Sequence, residues 1–190
     1  MSQTQNKISV SPQGEAFPLP ELSDYAAEYE RVKALAEAAR ESGKEVVVVM
    51  GVGFVGAVMA AIVADCEGKD GQPSKFVIGC QRPSTRSFWK IPLLNRGVSP
   101  VKAEDPQVDL LIGRCVLEKK TLIATYNSQV LDLADCVVID VQCDFLKQEL
   151  GNMKSGECDM AALEATLKTV GQHIRPDCLV LIETTVAPGT

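Results

Sequence analysis

Val46-Val-Val-Val-Met-Gly-Val-Gly-Phe-Val-Gly56 decides the fold: a short apolar run passes straight into three glycines spaced G-x-G-x-x-G. Four consecutive β-branched residues suit a buried strand. The alanine-rich stretch after the turn, Phe54 to Ala64, suits a helix. A glycine turn between strand end and helix start leaves unpaired backbone N–H groups at the positive end of the helix dipole, where a pyrophosphate can be held. In this reading Gly51 permits the tight turn, Gly53 lets a cofactor approach the backbone, and Gly56 lets helix and strand pack closely.

Outward from this stretch the pattern alternates. Strands are expected at 45–50, 75–80, 121–126, 135–141 and 178–185. Helical segments are expected at 54–64, 87–97 (broken at Pro92), 105–118 and 160–174, with a short helical or looped connector at 127–134. Alternation of this kind predicts an α/β fold, a Rossmann-type doubly wound parallel sheet with strand order 3-2-1-4-5. Upstream, residues 1–20 read as an extended or mobile arm. Residues 21–42 show helical spacing through Tyr25, Ala26, Tyr29, Val32, Leu35 and Ala36, and Gly43 is placed to end that helix. The organisation is thus an N-terminal arm and helix (1–44), serving packing or subunit contact, and a dinucleotide-binding domain (45–190).

The 190-residue chain is long enough for one sizeable core. No apolar run is long enough to span a bilayer, and the N-terminus lacks a basic-then-apolar secretory signal, so a soluble cytoplasmic protein without a membrane partner is expected. A net charge of −6 argues against a nucleic-acid partner and requires local amides to hold any phosphate. The seven cysteines are odd in number and contain no C-x-x-C, which disfavours a disulfide framework or zinc knuckle. Most read as reduced, buried small hydrophobes. His173 is the only histidine, excluding a histidine-rich metal site, and belongs at a helix end. Phe88 and Trp89 read as packing residues and Lys119-Lys120 as a solvated turn. Asp140 is unusual inside an apolar strand and needs a polar network or an exposed strand end.

Four segments, in order, resemble the N-terminal half of the nucleotide-sugar dehydrogenases, the UDP-glucose/GDP-mannose dehydrogenase family. They are Met50 to Gly56; Leu94-Asn-Arg-Gly-Val-Ser-Pro100 with Glu104-Asp-Pro106; Ala134-Asp-Cys-Val-Val-Ile-Asp-Val141; and Glu183-Thr-Thr-Val-Ala-Pro-Gly-Thr190. The second and fourth are the more specific. The resemblance implies oxidation of a sugar's C6 alcohol to a carboxylate by two hydride transfers to NAD, with a cysteine-bound intermediate and a nucleotide-sugar substrate. It implies cofactor contacts at Gly51, Val52, Gly53, Phe54, Val55, Gly56, Gln81, Arg82, Val141, Cys143, Glu183 and Thr185. Thr185 is the candidate catalytic residue, matching a threonine that positions the water and the reacting centre. The sequence departs from the family pattern at three places. No G-G-x-C loop is present, so the sugar-binding and catalytic-cysteine domain is expected in a longer parent protein, and the isolated chain is expected to be inactive. Gln81 stands where an acidic ribose-binding side chain is usual and Arg82 and Arg86 follow, which leaves NADP open beside NAD. Cys143 stands where the family has threonine. A noncatalytic NAD(P)-binding regulatory module is the rival reading, and a hydroxyacid or 6-phosphogluconate type of dehydrogenase a third. A homo-oligomer is compatible with all three.

Overall fold

The computed structural model describes residues 7–152 and 155–186. Its centre is a parallel sheet in the order β5-β4-β3-β6-β9, formed by β3 (Glu45–Met50), β4 (Lys75–Cys80), β5 (Leu122–Thr125), β6 (Cys136–Ile139) and β9 (Leu179–Ile182). Counting only these strands along the chain, the order is the expected 3-2-1-4-5. Alternate β3 side chains feed opposite faces, which is why the strand reads as an unbroken apolar run. Val46, Val48 and Met50 join one core with α1 (Asp24–Glu41) and α5 (Ala161–His173). Val47 and Val49 join the other with α2 (Phe54–Ala64), α3 (Lys90–Asn95) and α4 (Gln107–Gly113). The α4 segment continues as a π-helical turn over Arg114–Glu118. The connector after β5 is a 3₁₀ helix, Ser128–Leu133, too short to cover its face of the sheet.

The leading helix α1 fills that gap. Val32, Ala36 and Ala39 are buried against the sheet, while Leu35, on another face, stays 40% exposed. Polar ties surround this seam. Tyr29 Oη donates to Asp132 at 2.7 Å, Thr125 Oγ1 to Glu28 at 2.6 Å, and Asn127 Nδ2 to the Tyr25 carbonyl at 2.8 Å. Gly43, at φ +79°, ends the helix, its N–H on the Arg40 carbonyl.

Several details differ from the sequence expectation. Within the stretch expected to be an arm, β1 (Ile8–Val10) and β2 (Ala16–Pro18) pair as an antiparallel hairpin with Ser9 and Phe17 buried. Ser9 Oγ accepts the Trp89 N–H at 3.2 Å, and Arg96 pairs with Glu15 at 2.7 Å. A second hairpin, β7 (Asp144–Leu146) with β8 (Glu157–Asp159), lies where no element was expected, because three-residue strands carry no usable periodicity. Of the cysteines, only Cys80 and Cys115 are buried; Cys66 is exposed and the other four are half-buried near strand ends. Lys119 is ion-paired with Asp65 at 3.0 Å and Glu67 at 2.9 Å rather than merely solvated.

Two of the family-like motifs prove architectural. Asn95 Nδ2 donates to the Ala124 carbonyl at 2.9 Å and its Oδ1 accepts the Ala124 N–H at 2.7 Å, so one amide side chain docks α3 on edge strand β5 as a further strand would. Asp135 ties together the start of β3, the C-terminal end of α1 and the turn that leads into β9. Its carboxylate accepts the Val46 N–H at 2.8 Å, Arg40 at 2.8 Å and Arg175 at 2.9 Å. Burial alone would raise its pKa, but these donors outweigh burial and hold the carboxyl below its usual range.

Candidate functional site

The site lies at the C-terminal edge of the sheet, where the chain leaves β3 toward β4 on one side and β6 continues toward β9 on the other. That is the switch point at which open α/β sheets bind ligands. Gly51 takes φ +101°, and a Cβ there would press on the Asp140 carbonyl. A Cβ at Gly56 would meet the Gly51 carbonyl oxygen and come within 3.1 Å of Asp140 Oδ2. Both glycines are therefore required by the protein itself. Gly53 differs: its backbone is extended (φ −80°, ψ −158°) and a Cβ would find no atom of the described residues within 4 Å. No contact among the described residues explains it, but a ligand lying against the backbone would.

Gly53 is also the N-cap of α2, which has no side-chain cap and no acidic residue in its first turn. The amides of that turn thus stand at a positive helix end with no competing anion of their own. Gly53, Phe54, Val55 and Gly56 line a cavity of about 400 Å³ together with Asp140, Cys143, Glu183, Thr184 and Thr185. A second cavity of about 330 Å³ lies on the other side, lined by Gly51, Gln81 and Arg82, by Tyr25 and Tyr126, and by Thr166 and Thr169 of α5. Val141 lines both. A two-part cleft with a glycine turn between its halves suits a molecule built of two nucleotides joined by a diphosphate.

The expected site residues converge here but divide by role. The Val52 side chain is fully buried over Gly79, where a Cβ would come within 2.6 Å of Val52 Cγ1. The Val52 N–H donates to Gln81 Oε1 at 3.1 Å. Gln81 therefore braces the glycine loop with its oxygen, and its amide nitrogen, 3.5 Å from the Arg82 carbonyl, is the donor that can meet a ribose oxygen. Arg82 and Arg86 are exposed and in no ion pair among the described residues.

Thr185 is exposed at the rim, whereas its neighbour Thr184 latches β9 to β6: its Oγ1 accepts the Val141 N–H at 3.1 Å and lies 2.8 Å from the Val141 carbonyl. Residues 187–190 of the fourth motif lie outside the described residues. Asp140 is held beneath the loop with its N–H on the Met50 carbonyl at 3.0 Å. Its buried Oδ2 has no hydrogen-bond partner among the described residues, and burial, then the charge of Glu183, raises its pKa. The aromatic wall was not anticipated. Tyr25 and Tyr126 pack edge to face with centroids 5.1 Å apart, and burial with the nearby Glu28 and Asp24 pushes the Tyr126 phenol up to about 12. Tyr25 sits in a helix whose periodicity signals packing, so nothing in sequence separates it from core.

The sheet order, the glycine turn and the bipartite cleft define a dinucleotide-binding α/β domain. The chain belongs to the UDP-glucose/GDP-mannose dehydrogenase family, whose NAD binding domain matches residues 45–190. Among solved structures, the NDP-N-acetyl-D-galactosaminuronic acid dehydrogenase from Methanosarcina mazei is 33% identical, with a TM-score of 0.66 over 82% of this chain and 31% of that one. The GDP-mannose dehydrogenase from Pseudomonas aeruginosa is 27% identical (TM-score 0.57, 76% and 29% covered). The UDP-D-ManNAc dehydrogenase from Pyrococcus horikoshii is 26% identical (TM-score 0.58, 76% and 29% covered). The chain thus spans about three-tenths of the length of these relatives. No curated protein matches it. Among the described residues, no helix is long and apolar enough to cross a membrane.

Proposed function

We propose that this chain is the cofactor-holding part of an enzyme that oxidises the C6 alcohol of a nucleotide-linked sugar to a carboxylate in two hydride transfers to NAD. The observation that carries the reading is Gly53, a glycine with no contact of its own to relieve, standing at an uncapped helix start between two cavities. NAD, when bound, supplies the hydride acceptor. The residues of this chain bind and orient. Amides of Gly53, Phe54 and Val55 hold the diphosphate, with Gly51 and Gly56 fixing the turn that aims them. Gln81 and Arg82 meet the adenosine ribose, and Tyr25 and Tyr126 wall its base. Val141, Cys143 and Glu183 flank the nicotinamide half, where the Thr185 hydroxyl positions the water and the reacting carbon.

Gln81 accommodates a ribose hydroxyl through its amide nitrogen, while Arg82 is a ready partner for a 2′-phosphate. NAD is the cofactor the family affiliation supports, so the chain should prefer NADH to NADPH. Calorimetric titration of the chain with each coenzyme tests this. Heat of binding with NADH at one site per chain supports the reading, and silence with both coenzymes sinks it.

A further inference from the structure

The hairpin that follows β6 carries two thiols for which the proposed cofactor binding has no joint use. Its register pairs Asp144 with Asp159 and Phe145 with Cys158, so Cys143, one position before Asp144, shares a face with Cys158 as its diagonal neighbour. The two sulfurs are 3.2 Å apart, and Met160 Sδ is 3.5 Å from Cys143. Both thiols are half-buried and reachable, unlike Cys80 and Cys115, which are sealed in the core. Cys143 also lines the cavity shared by Gly53 and Thr185.

We propose that Cys143 and Cys158 close into a reversible disulfide that fastens the β7–β8 hairpin to the rim of the dinucleotide cavity. The sulfurs need approach by only about 1 Å to reach bonding distance. The oxidant is a hydroperoxide. One thiolate attacks a peroxide oxygen, the O–O bond breaks, and a sulfenic acid and water result. The second sulfur displaces the sulfenic hydroxyl, which leaves as water with the second thiol's proton. Two thiols lose two electrons, hydrogen peroxide gains them, and two waters form; an excess of a small dithiol reverses the bond. The hydrogen bond with Cys158, then burial, then the charges of Cys158, Asp159 and Asp144, raise the Cys143 pKa. A raised pKa disfavours the Cys143 thiolate that attacks peroxide, so the bond forms only when peroxide is abundant.

That the rim belongs to a cofactor site rests on the function proposed above, so the test reads the two separately. The full chain is treated with one equivalent of hydrogen peroxide, with and without saturating NADH, then alkylated, digested and mapped by mass. A Cys143–Cys158 cross-link, released by dithiothreitol and formed ahead of any other, is expected. NADH covering Cys143 should slow it by at least about threefold, since exchange and oxidation follow access to the sulfur. Cys158→Ser should leave Cys143 as a sulfenic acid that a dimedone probe captures. Cys136 and Cys178, close enough to feel one another's charge, are the internal control. If they link first, or if Cys143 and Cys158 oxidise singly without joining, the disulfide is overturned. An unchanged rate with NADH demonstrably bound overturns its place at the rim. Failure of the reduced chain to bind NADH sinks the cofactor reading and leaves the cross-link map to judge the disulfide.

Discussion

Replacing Gly53 with alanine separates what the fold needs from what the ligand needs. Gly53 has an extended backbone with φ −80°, so alanine is not excluded by a left-handed torsion, and the added methyl would meet no atom of the described residues within 4 Å. Reduced freedom of the unfolded chain should then stabilise the variant by about 0.4–1 kcal/mol. The same methyl projects where the diphosphate would rest. Overfilling a tight contact typically costs about 1–3 kcal/mol, which corresponds to a Kd weakened roughly 5- to 150-fold. Thermal unfolding and NADH fluorescence titration on one preparation read both quantities. Gly56→Ala is the contrast, because its Cβ would strike the Gly51 carbonyl oxygen and the melting temperature should fall. An unaltered NADH affinity in a folded Gly53→Ala variant would refute the reasoning, and so would a variant that fails to fold.

Asp135→Ala removes the acceptor of the buried Val46 N–H and two arginine partners; with the exposed share of those pairs discounted, roughly 2–4 kcal/mol of stability should be lost, measured by urea unfolding. Because the folded pKa of Asp135 is depressed, its contribution is present above the unfolded value of 3.8 and is lost as pH falls through the folded value, so the gap between wild type and variant should close in acid. Asp140 has the opposite sign: its folded pKa is raised, so the native state holds the proton more tightly and stability falls as pH rises above 3.8. Asp140→Asn should therefore be more stable than wild type at neutral pH and should bind NADH more tightly, the two stabilities converging near pH 4. Equal melting temperatures at pH 7 would contradict the raised pKa.

The central sheet was legible because β3 and β4 are buried on both faces and their apolar runs have no other use. The glycine turn was legible because only glycine tolerates the Gly51 torsion and the Gly56 approach. Legibility failed where a short segment's structure depends on distant partners. Phe17 and Pro18 pair with Ser9 and Ile8 in a hairpin that Ser9 and Arg96 anchor to the α3 region. The 3₁₀ turn could replace a full crossover helix only because α1 was available upstream. At the site, Gln81 was read for its place beside the ribose, but its bond to the Val52 N–H is a tertiary fact invisible in a one-dimensional pattern. Thr184 was not legible for the same reason: beyond the end of β9, one of two adjacent identical residues is tied to the Val141 backbone and the other is exposed at the rim.

The seating of α1 has a consequence for where the working unit begins. The match to the family's NAD binding domain starts at residue 45, yet the aromatic wall of one half of the cleft includes Tyr25, and the helix that carries it seals the sheet face behind Met50. A version trimmed to residues 45–190 would shed part of the cleft wall along with its backing, because Tyr25 stands twenty residues upstream of that boundary. Changes confined to that upstream helix would alter the cleft wall of this chain while every residue of the glycine turn stays unchanged.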